Sequence, residues 1–139
     1  MTHRHWTIEH TADIGVEAWG DSLGELLAGL AEGVAGLVCP PRQVRPLKEV
    51  QLHVQAEDLE ALAVDFLSAV MAKVQGERFM VHHVHVEQAG ELAVDAQLAG
   101  EPLDANRHEL HEEIKAITYH QLRIVPADDG WSGRVFVDI

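Results

Sequence analysis

Two amphipathic helical segments, set among extended segments, most strongly limit the fold of this 139-residue chain. The first predicted helix begins after Ser22, which forms a capping-box pattern with Glu25, and ends at the prolines of "CPPR". Its apolar residues recur at spacings of three and four, which places them on one stripe: Leu23, Leu26, Leu27, Leu30, Val34, Leu37 and Val38. The second predicted helix, "EDLEALAVDFLSAVMAKVQG", has a similar stripe and Gly76 as its expected C-cap. A helix with a single apolar face covers a sheet or packs on another helix.

The remaining sequence predicts about seven strands with alternating or continuous apolar character. They cover residues 4–10, 14–19, 47–55, 79–87, 92–98, 114–125 and 131–137. Short turns at "QAGE" and "PADDG" join consecutive strands, and strands joined in this way pair antiparallel. The sequence contains no linker or repeat. We therefore predict a single α+β domain over residues 1–139, a layered fold of mostly antiparallel strands with two amphipathic helices.

The chain is strongly acidic. It has 10 Lys and Arg residues against 23 Asp and Glu residues, which gives a formal net charge of −13 with neutral histidine. Proteins that hold nucleic acid by themselves neutralise its phosphates with a basic patch. The basic residues here are scattered, and Arg42, Arg45 and Lys48 form their only loose group. We therefore expect no direct tight nucleic-acid binding, and favour a basic protein partner or bound cations.

Three features of the sequence predict a cytoplasmic protein without membrane association. The segment "MTHRHWTIEH" lacks the apolar core of a signal peptide. Cys39 is the only cysteine, so an internal disulfide cannot form. The most apolar helical stretch, "LLAGLAEGVAGLVC", is too short to cross a membrane and contains Glu32.

The histidines do not form a recognisable metal or catalytic motif. "HELH" places His108 and His111 three residues apart, whereas the zinc-protease motif needs a spacing of four. "VHHVHV" places His83 and His85 on one strand face and His82 on the other. Two histidines on one face could bind a transition metal, but a solvated strand face is the commoner case. No G-x-S-x-G motif or phosphate-binding loop is present, so the sequence predicts no nucleophile.

Two acidic residues lie at the ends of predicted strands. Asp13 lies at a turn in "EHTADIGVEAWG", a position that Asp often occupies because its side chain bonds to nearby backbone. Asp138 follows the apolar run "RVFV", and Ile139 adds its α-carboxylate if the chain ends there. Three anions brought together repel one another unless a cation or basic residue compensates them. Oxygen ligands alone favour a hard divalent cation such as calcium or magnesium.

Two charged segments late in the chain have less specific interpretations. Lys115 lies in a predicted strand, in "EIKAITYH", where it either extends to solvent or pairs with a buried acid. The segment "GEPLDANRHELHEE" is predicted to be a solvent-facing loop with a helical turn.

Three sequence blocks resemble the archease family. They are "HTADIGVEAWG", "EIKAITYHQLRI" and "GWSGRVFVDI", and they occur in the family's order. The helical middle is also similar to that of the family, so the resemblance covers essentially the whole chain. The patterns H-T-A-D-x-G and E-I-K-A-x-T-Y-H are long enough to be specific.

This resemblance implies an accessory role in RNA ligation. Archeases assist the RtcB-type RNA ligase, which joins 3′-phosphate or 2′,3′-cyclic phosphate ends to 5′-hydroxyl ends in tRNA splicing and RNA repair. They promote guanylylation and multiple turnover of the ligase and are not ligases themselves. The family's metal site maps onto Asp13, Asp138 and Ile139, with calcium as the most plausible cation. Lys115 matches a lysine of the family's functional surface, whereas the histidines of "VHHVH" match no family motif.

Two other functions stay open at this point. One is a small metal-dependent hydrolase that uses Asp13 and Asp138, with His10 or His120 as the base. The other is a chaperone-like module for RNA-modifying enzymes in general.

Overall fold

The chain forms an α+β domain of two helices and eight strands in this computed structural model, which describes residues 2–9 and 13–139. The strands are β1 (His3–Glu9), β2 (Asp13–Gly20), β3 (Lys48–Gln55), β4 (Phe79–Ala89), β5 (Ala93–Pro102), β6 (Ala116–Ile117), β7 (Arg123–Ala127) and β8 (Gly130–Asp138). The helices are α1 (Leu23–Val38) and α2 (Leu59–Met71), with a 3₁₀ turn at Pro41–Gln43 and a π-helical turn at Ala72–Gly76.

The strands form two antiparallel sheets. The five-stranded sheet has the order β1-β2-β8-β6, and β7 also pairs with β8. The three-stranded sheet has the order β3-β5-β4. Helix α1 packs on β1, β2 and β8 of the first sheet and on β4 of the second, whereas α2 contacts β3, β5, β6 and β7. Each helix therefore contacts both sheets and joins them around a single core.

The ends of α1 follow the sequence signals. Ser22 Oγ accepts a hydrogen bond from the backbone N–H of Glu25 at 3.2 Å, as an N-cap side chain does. The helix ends at Val38, and Cys39 has extended backbone before Pro40. The predicted stripe is buried on α1 except for Leu37, which is partly buried, and Leu26, Leu27 and Leu30 are fully enclosed. No helix among the described residues is long and apolar enough to cross a membrane.

The predicted strand at residues 114–125 is wrong, because the segment divides into β6 and β7. Ile117 pairs with Val137 and Arg123 pairs with Arg134, so the segment advances 123 − 117 = 6 residues while β8 advances 137 − 134 = 3. The three extra residues cannot stay in the ladder and form a turn, in which Gln121 has φ 51°. Lys115 consequently lies before β6 rather than inside a strand.

The predicted cap at Gly76 is also wrong. The π-helical turn ends at Gly76, and Arg78, not Gly76, has the left-handed backbone, with φ 57°. The reversal of the chain between α2 and β4 is therefore completed at a non-glycine residue.

The charged segment after β5 is not simply a solvent-facing loop, although its hydrogen-bonded turn at residues 105–107 is exposed in part. His108 is buried, and its Nε2 lies 3.0 Å from Oε2 of buried Glu101. Arg107 bonds to Oε1 of the same carboxylate, and the backbone N–H of Arg45 donates to Oε2 at 2.7 Å. These contacts replace the water that a lone buried carboxylate would need. They hold the segment against the chain that follows α1.

The histidine-rich strand β4 contains a bulge. Val81 pairs with Gly100 and His83 with Ala99, so His82 is the extra residue. His83 and His85 pair with Ala99 and Gln97 and are both exposed, as predicted for a solvated face. The bulge brings Nδ1 of His82 within 2.8 Å of Nδ1 of His83, a contact that simple alternation does not predict.

Candidate metal and partner site

The pairing of β2 with β8 brings the two predicted acidic residues together. Asp13 is directly opposite Asp138 in the antiparallel register. Directly opposite residues point to the same side of a sheet, with Cβ atoms about 4.5–5.5 Å apart. Asp13 is half-buried and Asp138 is exposed. The structure thus creates a pair of neighbouring carboxylates from residues 125 positions apart (138 − 13).

The neighbouring apolar residues explain why this register is specific. Val16 and Val135 are opposite each other and fully buried, and Ile14 is buried opposite Val137. A slip by one residue would turn these side chains out of the core. On the other face, an added Cβ at Gly15 would lie 2.8 Å from the Phe136 ring, so this glycine lets the ring cover β2.

Ile139 follows Asp138, and its side chain packs partly buried against the core. This packing restrains the residue that carries the predicted third anion. Ile139 is also the residue after Asp138, which pairs with Asp13.

Lys115 lies at the same end of β8, on the edge of that strand opposite to β2. Its backbone N–H donates to the carbonyl of Asp138 at 2.8 Å, and Ala116 pairs with Asp138. The Lys115 side chain is exposed. The fold therefore brings all four predicted site residues together: Asp13, Lys115, Asp138 and Ile139.

These groups offer an all-oxygen donor set for a hard cation. Asp13 and Asp138 lie opposite each other, and the α-carboxylate of Ile139 is the predicted third anion. Within residues 2–9 and 13–139, no cluster of three or more His, Cys, Asp or Glu side chains could hold a metal ion. The side chains alone are thus a partial site. Calcium takes about six to eight oxygen ligands, often including water and backbone carbonyls, so the donor chemistry fits it with further ligands supplied from outside.

The histidines considered as catalytic bases lie differently. His10 falls outside the described residues. His120 is exposed, and its ring centre lies 5.7 Å from that of Phe136 in an edge-to-face contact. Phe136 precedes Asp138 by two residues on β8 and pairs with Gly15. His120 therefore contacts the residue pair next to the acidic pair on the same face of the sheet.

Gln75 is a contact residue of this region that the sequence interpretation missed. Its side chain bonds to both backbone groups of Ile114, the residue before Lys115. A signal was present, because Gln75 continues the spacing of four from Leu67 and Met71 on the apolar face of α2. A polar residue on such a stripe indicates a specific buried contact.

Two other polar clusters lie away from the site. His3 of β1 lies between two carboxylates of α1, with Nδ1 2.5 Å from Glu25 and Nε2 2.7 Å from Glu32. Burial lowers the pKa of His3, but the hydrogen bonds and charges of both glutamates outweigh it and raise that pKa. The second cluster surrounds Glu101, where the hydrogen bond from Arg107 lowers the pKa of the carboxyl to about 2 against the effect of burial.

Comparison with known proteins gives consistent matches over nearly the whole chain. The model of the Archease protein family (MTH1598/TM1083) matches residues 6–139. "Protein archease" of Pyrococcus furiosus is 35% identical over 141 aligned residues, which cover 98% of this chain and 99% of that protein. "Protein archease" of Thermococcus gammatolerans is 38% identical with the same coverage of both chains.

Two solved structures have the same fold. The solution structure of protein 1598 from Methanobacterium thermoautotrophicum has a TM-score of 0.79 at 23% identity, over 97% of this chain and 98% of that one. The crystal structure of an archease from Thermotoga maritima, described as a possible chaperone, has a TM-score of 0.63 at 25% identity, over 95% and 94%. By its family model and its relatives, this chain belongs to the archease family.

Proposed function

We propose that this protein is a non-catalytic activator of an RtcB-type RNA ligase and that it binds a hard divalent cation, calcium. The cation is held by Asp13, Asp138 and the α-carboxylate of Ile139. In this proposal the protein promotes guanylylation and multiple turnover of the ligase in tRNA splicing and RNA repair. It works in the cytoplasm and does not bind RNA tightly by itself.

The observation that supports this proposal most directly is the register of Asp13 opposite Asp138. Like charges directly opposite each other on a sheet destabilise it, so the pair has a cost in the isolated protein. A bound cation removes that cost and supplies a positive centre at an exposed strand end. The chain's own residues then orient this centre, because β2 and β8 are anchored by Val16 and Val135 in the core.

Lys115 supplies the basic side chain of the proposed surface. It is exposed and its backbone is bonded to Asp138, so its position depends on the same strand end. A surface that combines carboxylates, a cation and a lysine can favour one ligase conformation only by binding it more tightly than the other. We assign Lys115 to that differential contact.

The test measures covalent ligase–guanylate formation and RNA joining over several turnovers, with the organism's own ligase limiting. Asp13→Ala and Asp138→Ala should abolish stimulation while circular dichroism shows intact folding. Lys115→Ala should reduce stimulation. Asp65→Ala, which removes an exposed acid on α2, is the matched control and should stimulate normally. Normal stimulation by folded Asp13→Ala protein would refute the role of the acidic pair.

The same assay separates the two other functions. A metal-dependent hydrolase would cleave a phosphoester without ligase, and His120→Ala would reduce that cleavage. A general chaperone-like module, as the description of the Thermotoga maritima structure suggests for that protein, would bind several unrelated RNA-modifying enzymes. We expect no turnover by the isolated protein and preferential retention of the ligase in a pull-down.

A further inference from the structure

Gln75 projects from the π-helical turn that follows α2. This turn spans Ala72–Gly76, and π turns are rare and frequently occur at functional sites. Met71 and Val74 are buried beside it, and Gln75 is half-buried at the edge of the apolar face. The side-chain amide is therefore held by a packed helix end rather than by a loop.

The amide of Gln75 makes two hydrogen bonds to a single residue. Nε2 donates to the carbonyl of Ile114 at 2.8 Å, and Oε1 accepts from the N–H of Ile114 at 2.7 Å. This pairing resembles one rung of a β-ladder, with a side chain in place of a neighbouring strand. Ile114 is buried, so both of its backbone groups need partners inside the protein.

The clamp on Ile114 lies next to the predicted site residues. The next residue, Lys115, donates its N–H to Asp138, and Ala116 pairs with Asp138. Strand β6 has only two residues, which leaves few ladder bonds to fix its own position. Gln75 and Lys115 also line the same groove between the π-helical turn and β6. The position of this segment therefore depends on an anchor outside the sheet.

We propose that Gln75 is a positioning residue: by clamping the backbone of Ile114 it sets the position of Lys115 and of the Asp138 end of β8. It touches neither the cation nor the partner in this scheme. The functional consequence rests on the proposed activation of the ligase, whereas the clamp itself is a property of the isolated protein. An experiment can therefore refute the proposed function without refuting the clamp, and the clamp without refuting the proposed function.

The first measurement is hydrogen exchange of the Lys115 amide in the full chain. Gln75→Met keeps the length of the side chain but removes both hydrogen-bonding atoms. We expect exchange of Lys115 to become at least about tenfold faster, which corresponds to a loss of about 1.4 kcal/mol in the free energy of opening. Gln55→Met, which changes an exposed glutamine on β3, is the matched control and should leave this amide unchanged.

A rescue experiment distinguishes positioning from simple packing. Gln75→Glu offers only acceptors when ionised, but a protonated carboxyl offers one donor and one acceptor, as the amide does. Exchange of Lys115, taken relative to wild type at the same pH, should be fast near neutral pH and return toward wild type at about pH 4. Gln75→Met should show no such recovery.

The second measurement links the clamp to the site. Calcium titration calorimetry and ligase guanylylation should both be weaker for folded Gln75→Met than for Gln55→Met. Unchanged Lys115 exchange in Gln75→Met would overturn the clamp. Faster exchange with wild-type calcium binding and stimulation would show that the clamp positions Lys115 without any effect on the proposed function. If wild-type protein neither binds calcium nor stimulates the ligase, the proposed function fails, and the exchange and its rescue still decide whether Gln75 positions Lys115.

Discussion

Asp13 and Asp138 occupy opposite positions at the end of the β2–β8 ladder, on the same side of the sheet. The strands place two carboxylates side by side without a described basic side chain bonded to either of them among residues 2–9 and 13–139. If the pair binds a cation as proposed, we expect loss of one charge to have opposite effects on stability without the cation and on cation affinity.

Asp138→Asn should therefore change stability and cation binding in opposite directions. Without a divalent cation, removal of the like-charge pair should raise the free energy of unfolding by about 0.5 kcal/mol. With calcium, the variant should lose more than about tenfold in affinity, because one anionic ligand is gone. Urea denaturation and calorimetry measure the two effects. A variant that is less stable than wild type in chelator would contradict repulsion between the carboxylates.

The second prediction concerns the α-carboxylate of Ile139. One glycine added after Ile139 moves this charge away while the Ile139 side chain can stay packed on the core. Calcium affinity should fall more than in a protein with one glycine added at the N-terminus. Equal affinities for the two extended chains would remove the α-carboxylate from the proposed site.

The third prediction concerns the contact between β1 and α1. The pKa of His3 is raised above its ordinary value of 6.5, because Glu25 and Glu32 together outweigh the lowering effect of burial. A raised folded pKa means that the contribution of His3 is complete below pH 6.5 and is lost as pH rises through the folded pKa.

The difference in unfolding free energy between wild type and His3→Gln should therefore shrink as pH rises above 6.5. Denaturant titrations at several pH values measure it. A difference that stays constant across this range would show that His3 does not act through its charge. His53→Gln, at an exposed His–Asp pair on the three-stranded sheet, is a suitable comparison.

The fourth prediction concerns Glu101. The hydrogen bond from Arg107 is the main cause of its low pKa of about 2, with further bonds from Arg45 and His108, while burial opposes the shift. A depressed folded pKa gives stability that is present above the ordinary value of 4.5 and is lost as pH falls toward 2.

Glu101→Gln should cost about 2–3 kcal/mol near neutral pH, because it leaves the buried partners of the carboxylate poorly satisfied. This cost should decrease below pH 4.5 as wild type loses the same charge. Urea denaturation as a function of pH measures both effects. A penalty that is independent of pH would mean that packing, and not ionisation, accounts for the loss. Glu49→Gln on exposed β3 controls for general charge effects.

Several elements follow from local sequence alone. Helix α1 was predicted with its cap at Ser22 and its end before the prolines, because these signals act through the backbone of adjacent residues. The hairpins β4–β5 and β7–β8 were predicted because their turns join strands that are neighbours in the chain. The predicted α+β fold class is confirmed. It could be predicted because short connections leave few ways to arrange these elements.

Other features depended on contacts between distant residues. The break between β6 and β7 follows from their pairing with β8. The residues between them contain no turn signal as strong as the strand pattern on either side. Burial of Glu101 and His108 depends on Arg107 and on the backbone of Arg45, which no local pattern of charges reveals. The bulge at His82 likewise depends on the register of β4 against β5.

The sequence by itself determined which residue types are available: two acids at strand ends, a lysine in a recognisable block and no catalytic nucleophile motif. Only the tertiary structure decided that Asp13 lies opposite Asp138, that Lys115 reaches the same strand end, and that Gln75 anchors the segment leading to it. The physical reason is that local propensities act over a few residues. Register and side-chain clamps instead depend on which distant apolar residues share the core, and here Val16 and Val135 bring the acids together.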